Sequence, residues 1–138
     1  MSHVPAALRR GVHERARGAC EYCLAPEALS FAAHEVDHVI AQKHGGATEE
    51  DNLALSCALC NKHKGTDLAS IDRETGCVAS LYHPRRERWS AHFRLEAAKL
   101  VPLTATARVT VRLLQMNHPD RVMERALLIA SGLVRPPA

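Results

Sequence analysis

Aromatic residues and long apolar runs are both scarce in this chain. Only five of its 138 residues are Phe, Tyr or Trp, so the core must be built mainly from Ala, Leu and Val and would benefit from a metal ion as a staple. No apolar run approaches the roughly 20 residues needed to span a bilayer, and the N-terminal stretch does not resemble a signal peptide. We therefore expect no membrane partner and a cytoplasmic location, where paired cysteines bind metal more often than they form disulfides.

A large excess of either charge is absent too. The formal net charge is only +3, so net charge alone does not indicate a nucleic-acid-binding protein. Histidine, in contrast, is frequent: the chain has nine, and histidine often serves as a metal ligand or proton carrier. The length and the even composition predict one domain, residues 1–138, with a core at residues 19–66 and a C-terminal extension at residues 67–138.

The residues before the core are predicted to form a helix. It would begin near Pro5 and end at Gly18, because Leu8, Val12 and Ala16 recur at helical spacing. The three apolar side chains would form a stripe along one face, and the arginines would occupy the remaining surface.

Short elements are predicted inside the core. Leu29–Ile40 is apolar-rich and contains β-branched residues, which favours a strand. Thr48 would cap a short helical turn that ends at Asn52. A further helix would include Asn61–Lys64 and end at Gly65.

Strands followed by two helices are predicted for the extension. The strand candidates are Cys77–Tyr82 and Ser90–Leu95. The first of them follows a turn at Asp72–Gly76. The helix candidates run from Thr104 to about Met116 and from Pro119 to about Ser131. Cys77 is expected to be a small buried residue, and the sparse aromatics Trp89 and Phe93 are expected in the core.

Two C-x-x-C pairs frame the core. They are Cys20 with Cys23 and Cys57 with Cys60. A two-residue spacer lets both thiolates of a pair reach one ion, and two pairs complete a tetrahedron around Zn²⁺. A redox dithiol or a pair of disulfides are the alternatives, but the chain lacks the βαβ context of a redox C-x-x-C. Because all four ligands are cysteine, this zinc site would be structural rather than catalytic.

A second group of residues suits phosphodiester hydrolysis. Asp37 offers a carboxylate oxygen and Asn61 a carboxamide oxygen, which are the hard ligands that Mg²⁺ or Mn²⁺ prefers. Histidine is a common general base, and His38 could take the proton from an attacking water. Adjacent residues of a regular strand point to opposite faces, so Asp37 and His38 must lie where the strand ends or bulges into the Ala41–Gly46 loop.

The motifs HEVDHVIAQKHGG and DNLALSCALCNKHKG, with the cysteine pairs around them, resemble those of HNH endonucleases. The resemblance implies an α+β protein: a ββα-metal (His-Me) finger stapled by a four-cysteine zinc site, with an N-terminal helix and a C-terminal strand-plus-two-helix extension. It implies catalytic roles for Asp37, His38, Asn52 and Asn61, with Asn52 orienting His38 or the loop backbone. Many HNH enzymes have histidine where this chain has Asn61, so the sequence is an H-N-N variant.

The implied function is a metal-dependent DNA endonuclease with His38 as general base, although RNA remains an alternative substrate. Lys62, His63 and Lys64 are the residues predicted to contact the nucleic-acid phosphates. Further residues could add to this positive surface: Lys43, Arg85, Arg86 and Arg88. Two other functions stay open: a non-catalytic zinc-stapled module that binds nucleic acid, and a protein-interaction module that uses the C-terminal helices. The chain would be a monomer, or a homodimer through those helices.

Overall fold

Helices and short antiparallel hairpins alternate along the chain, whose computed structural model describes residues 3–137. The helices are α1 (Ala6–Ala16), α2 (Ala58–Lys64), α3 (Trp89–His92), α4 (Ala105–Leu113) and α5 (Pro119–Ala130). The strands are β1 (Glu35–His38), β2 (Leu53–Ser56), β3 (Ala69–Ile71), β4 (Val78–Ser80), β5 (Phe93–Glu96) and β6 (Lys99–Pro102). Each strand pairs with its neighbour in sequence, which gives three two-stranded antiparallel sheets within the described residues. The predicted α+β class is confirmed.

The N-terminal helix packs on the strand that precedes the second cysteine pair. Val12 is fully buried, and Leu8 and Ala16 pack beside it against Leu53 and Leu55 of β2. The predicted apolar stripe is therefore confirmed, because residues at this spacing share one helix face.

The finger, residues 19–66, is organised by β1, β2 and α2. In the β1–β2 register, Asp37 lies opposite Ala54 and His38 opposite Leu53. A loop with two short helical turns joins the strands, and α2 follows β2 directly. This order of two paired strands and one helix is the ββα arrangement that the sequence predicted.

The first strand of the finger is shorter than predicted. Only Glu35–His38 is extended and paired, while Glu27–Leu29 forms a helical turn. The main-chain N–H of His34 donates to the Glu27 carboxylate over 2.8 Å, which folds this segment back as a loop. Phe31 consequently lies fully exposed within it. The apolar composition of the segment therefore does not mark a buried strand.

In the extension, residues 67–137, the two long helices, the turn at Asp72–Gly76 and the strand after it agree with prediction, whereas the second hairpin differs. The predicted strand Ser90–Leu95 is divided between α3 and β5. Trp89 and Phe93 are both buried, and their spacing of four residues places them on the same side of one helical turn. The partner strand β6 was missed because its turn, Ala97–Ala98, has two positive φ angles but no glycine to signal it.

Cys77 is a further correction. It was expected to be buried, but it lies exposed beside the turn of the β3–β4 hairpin. Both hairpin strands expose apolar side chains, for example Ile71 and Val78. The alternation of apolar and polar residues in these strands therefore does not distinguish a buried face from an exposed one.

One hydrophobic cluster joins the finger to the extension. Its extension members include the following buried residues: Tyr82, Trp89, Phe93, Leu100, Val109, Leu114 and Met116. They pack against the cysteine pairs of the finger. On α5, Leu128 and Ile129 pack against this cluster, while Met123 and Leu127 are about two-thirds exposed. Within residues 3–137, no helix combines the length and apolar character that a membrane crossing requires.

Candidate active site and cysteine cluster

The four cysteines of the two C-x-x-C pairs converge at the junction of the finger and the extension. Their sulfur atoms all lie within 4.8 Å of one another, and the Sγ atoms of Cys23 and Cys57 are 3.6 Å apart. Four sulfurs at about 2.3 Å from a tetrahedral Zn²⁺ would be separated by about 3.8 Å. The cluster is buried, and its geometry is compatible with a closed structural zinc site.

Local backbone geometry forms each pair. Cys57 is the N-cap of α2, and its sulfur accepts the N–H of Cys60 over 3.4 Å. In the first pair, the Cys20 sulfur accepts the N–H of Cys23 over the same distance. Leu24 then turns the chain at φ +73°, a conformation that costs a non-glycine residue roughly 1–2 kcal/mol. A bound metal would offset this local cost.

Asn52 holds the loop between β1 and β2 in shape. Its Oδ1 accepts the N–H of Ile40, and its Nδ2 donates to the carbonyls of Ile40 and Ala47, each over 2.9 Å. Gly46 is required beside it, because a Cβ there would overlap the Ile40 carbonyl and crowd the Asn52 amide. Asn52 is therefore placed to orient the loop backbone, one of the two roles that the resemblance implied.

Asp37 lies one residue before the end of β1 and faces α2. Its Oδ2 accepts the hydroxyl of Tyr22 over 3.0 Å and lies 3.1 Å from Nζ of Lys64. Burial raises the pKa of Asp37 above its ordinary value, and nearby Lys64, Tyr22 and His38 oppose this shift. Burial and the Asp37 carboxylate raise the pKa of Tyr22, so its hydroxyl stays protonated and donates. No hydrogen bond within residues 3–137 involves Oδ1 of Asp37.

His38 is the last residue of β1 and lies opposite Leu53 of β2. Its Nε2 is hydrogen-bonded to Oγ1 of Thr48 over 2.9 Å, and Gln42 Nε2 donates to the same oxygen over 3.2 Å. Thr48 was predicted to cap a helical turn; that prediction is wrong, because Glu49 occupies the cap and Thr48 turns towards His38. His38 Nδ1 is left without a partner among the described residues.

Asn61 lies in the middle of α2. Lys64, three residues on, pairs with Asp37 and also donates to the main-chain carbonyl of His38 over 3.3 Å. Residues three apart share a helix face, so Asn61 is on the side of α2 that faces β1. The carboxamide of Asn61 makes no hydrogen bond within residues 3–137. No hydrogen bond within residues 3–137 therefore involves Asp37 Oδ1 or the Asn61 carboxamide.

The predicted phosphate contacts separate into two groups. Lys62 is exposed and His63 is half-buried, in keeping with a surface position. Lys64 was expected on the same surface, but its side chain is only 1% exposed and it pairs with Asp37. Arg85 is likewise engaged, in an ion pair with the buried carboxylate of Glu21. The expected surface position of Lys64 is therefore wrong, whereas the phosphate contact of Arg85 stays a prediction.

Four residues near the cysteine cluster and the Asp37–His38 pair were given no role there by the sequence. Tyr22 and Thr48 contact Asp37 and His38 respectively, while Arg121 and Arg125 of α5 are buried near the cysteine cluster. Tyr22 could have been suspected from its place inside the first C-x-x-C pair. No local signal marks the arginines, since charged residues four apart on a helix are usually solvated.

Comparison with known proteins agrees with the geometry. The model of the HNH endonuclease family matches residues 20–67, roughly a third of the chain. The match spans both cysteine pairs and every residue to which the sequence assigned a catalytic role. No curated protein matches the chain. Residues 20–67, which hold the four clustered cysteines, are thus similar to the HNH endonuclease family.

Proposed function

We propose that the chain is a metal-dependent endonuclease that hydrolyses phosphodiester bonds in DNA. The observation that carries this proposal is that Asp37 and His38 are the last two residues of β1, within the segment that matches the HNH family. One carboxylate oxygen is anchored and the other is free, and the adjacent imidazole is anchored at one nitrogen. Such a half-anchored arrangement suits groups that act on a ligand.

Two metal ions have distinct places in this proposal. Cys20, Cys23, Cys57 and Cys60 would hold a structural Zn²⁺. Asp37 Oδ1 and the Asn61 carboxamide would hold Mg²⁺ or Mn²⁺, with water and the substrate phosphate as the other ligands. When bound there, the divalent ion would offset the negative charge that develops on the phosphate in the transition state.

His38 has the part of general base. Thr48 accepts a hydrogen bond from Gln42, and by also accepting N–H from His38 Nε2 it would leave Nδ1 unprotonated. Nδ1 then takes a proton from water, the water oxygen bonds to phosphorus, and the bond from phosphorus to the 3′-oxygen breaks. The leaving oxygen takes up a proton, and the family resemblance implies 5′-phosphate and 3′-hydroxyl ends.

Lys64 and Tyr22 have positioning roles. Both act on Oδ2 of Asp37, so that Oδ1 is the oxygen left for a cation. Lys64 also fixes the carbonyl of His38, which holds the two consecutive residues at the end of the strand. Exposed Lys62 and half-buried His63 would contact the DNA backbone.

Cleavage of supercoiled plasmid with Mg²⁺ or Mn²⁺ tests the proposal. Replacing His38 with Ala should slow cleavage by about 10²- to 10⁴-fold, the usual contribution of a positioned acid or base, while the fold and zinc content persist. His44→Ala is the matched control, because His44 is exposed in the same loop. Undiminished cleavage by the His38 variant would overturn the mechanism.

One observation favours a non-catalytic nucleic-acid-binding module instead. Lys64 already neutralises the buried Asp37 carboxylate, so the pair would be stable without a divalent ion. That alternative predicts DNA binding without cleavage in Mg²⁺, Mn²⁺ and Ni²⁺ alike. A panel of the three metals with plasmid and single-stranded DNA and RNA oligonucleotides separates the two functions and identifies the preferred nucleic acid.

A further inference from the structure

Two arginines of α5 are buried beside the cysteine cluster. Arg121 is 9% exposed and Arg125 is 5% exposed, although arginine is almost never this buried without a partner. Neither arginine has a carboxylate within ion-pair distance among residues 3–137, where acidic partners were found for several other arginines. A buried guanidinium without an anion is costly, so its counter-charge must be sought elsewhere.

Arg121 contacts the sulfurs directly. Its Nη2 donates to Sγ of Cys60 over 3.1 Å and lies 3.7 Å from Sγ of Cys57. Its Nη1 donates to the carbonyls of Leu114 and Gln115, over 2.7 and 3.1 Å. The carbonyls hold the guanidinium in place, but they are neutral. The two sulfurs are therefore the atoms that can carry the balancing charge.

Arg125 lies one helical turn further along α5. It donates to the carbonyls of Ala98 and Met116 over 2.8 and 2.9 Å. It also lines the same cavity as Arg121 and two cysteines, Cys23 and Cys57. Both arginines thus approach the cluster from the extension, which lies outside the segment that matches the HNH family.

The charges on the two sides match. Four thiolates around one Zn²⁺ leave two negative charges in excess, and the two guanidinium groups supply two positive charges. We propose that Arg121 and Arg125 are the counter-ions of a zinc–tetrathiolate centre and that they make docking of α5 depend on the metal. Outer contacts of this kind orient metal ligands and adjust metal affinity. The extension would then be part of the zinc site although it provides no ligand.

Zinc affinity measured against a chromophoric chelator tests the proposal. Arg121→Met should weaken zinc binding by about 10- to 100-fold, the usual effect of losing an outer contact. Arg121→Lys keeps the charge and should retain most of the affinity. Arg135→Met is the control, because Arg135 is exposed just after α5, and it should bind zinc as tightly as the unaltered chain.

Cobalt substitution gives a readout that simple loss of packing would not move. In the Co²⁺-loaded protein, an N–H donor stabilises the sulfur lone pairs from which the charge-transfer bands arise. Removing the Arg121 donor should shift those bands to lower energy, whereas Arg135→Met should leave them in place. This measurement needs no nuclease activity, so the inference stands or falls independently of the proposed catalysis.

Two results would overturn the inference. The first is that Arg121→Met binds zinc as tightly as the unaltered chain and leaves the cobalt bands unshifted. The second is an equal loss of affinity in Arg121→Met and Arg121→Lys, which would assign the effect to the lost carbonyl contacts rather than to charge. The Lys variant also keeps the test decisive should the Met variant fail to fold. Absence of bound zinc in the unaltered chain would instead refute the zinc assignment itself.

Discussion

In the finger, four cysteines, the Asp37–Lys64 ion pair and the Asn52 amide are buried beside the apolar side chains of β2. In the extension, Trp89 and Phe93 are buried in the hydrophobic cluster, although Asp72, Arg121 and Arg125 are buried too. The hydrophobic effect needs no partner of matching charge. Buried polar groups, however, stabilise a fold only when every partner is in place.

This difference assigns separate tasks to the two regions. All residues proposed for catalysis lie within residues 20–64, on short elements such as β1 and α2. The extension supplies the apolar surface against which the cysteine pairs pack. We therefore expect perturbations of charge or metal to act mainly on the finger.

Removal of zinc should have the largest effect. Structural zinc contributes about 10–16 kcal/mol of apparent binding free energy in zinc-finger peptides, more than the stability of most domains. Treatment with a strong chelator should therefore unfold β1, β2 and α2 and abolish cleavage. Hydrogen exchange checks the comparison: amides of β5, β6 and α4 should keep more protection than those of the finger. Uniform loss of protection would show that the regions are not separable.

Replacing Lys64 with Met should have the next largest effect. It leaves the Asp37 carboxylate buried with only the Tyr22 hydroxyl, and breaking a buried ion pair costs about 3–5 kcal/mol. Because Lys64 lowers the pKa of Asp37, its loss should raise that pKa further. A raised folded-state pKa gives stability that is present below the unfolded value and lost as pH rises. Urea unfolding should therefore show a larger deficit at pH 7 than at pH 5.

Lys62→Met provides the control for that measurement. Lys62 is exposed on the same helix, and surface substitutions usually change stability by less than about 0.5 kcal/mol. A deficit of equal size in both variants would mean that loss of positive charge on α2, rather than burial of an unpaired carboxylate, is responsible.

The two asparagines of the motif should separate stability from activity. Asn52→Ala removes three hydrogen bonds to the loop, and each buried group left unpaired costs about 1–3 kcal/mol. Asn61 makes no side-chain hydrogen bond within residues 3–137, so Asn61→Ala should leave the melting temperature nearly unchanged. Its cleavage rate should nevertheless fall at low Mn²⁺ concentration and recover partly at high Mn²⁺. A destabilised Asn61 variant would place that residue in the framework instead.

The finger was more predictable than the extension because its chemistry is local in sequence. The spacing within each C-x-x-C pair predicts the cysteine cluster directly, and the Asp37–His38 dipeptide is the basis of the proposed catalytic centre. The interpretation failed where a partner comes from a distant part of the chain. Lys64 is a surface residue by type and becomes buried only because Asp37 and Tyr22 face it.

In the extension, sequence signals predicted the two long helices but not the contacts between distant segments. The capping Thr104 and the Pro119 at the start of α5 marked both long helices correctly. The β5–β6 hairpin carried no turn signal, and Arg121 is buried only because α5 crosses the cysteine cluster. Tertiary contacts of this kind override what composition and periodicity predict for an isolated segment.

The smallest expected change in stability comes from an ion pair within the extension. Asp72 is buried at the turn between β3 and β4, and Arg108 of α4 donates to both of its carboxylate oxygens over 2.9 Å. The Arg108 guanidinium holds the pKa of Asp72 well below its ordinary value. A lowered folded-state pKa gives stability that is present above the unfolded value and lost as pH falls. The unaltered chain should therefore lose this contribution progressively below about pH 4.

Asp72→Asn should remove that acid sensitivity. Its melting temperature should be lower than that of the unaltered chain at pH 7, and the gap should narrow as the pH approaches 3. Plasmid cleavage at pH 7 should be unchanged, because the ion pair joins the β3–β4 hairpin to α4 and contacts neither Asp37 nor His38. A parallel loss of cleavage would mean that the hairpin helps to position the finger. The division between a chemically active finger and a supporting extension would then be wrong at this contact.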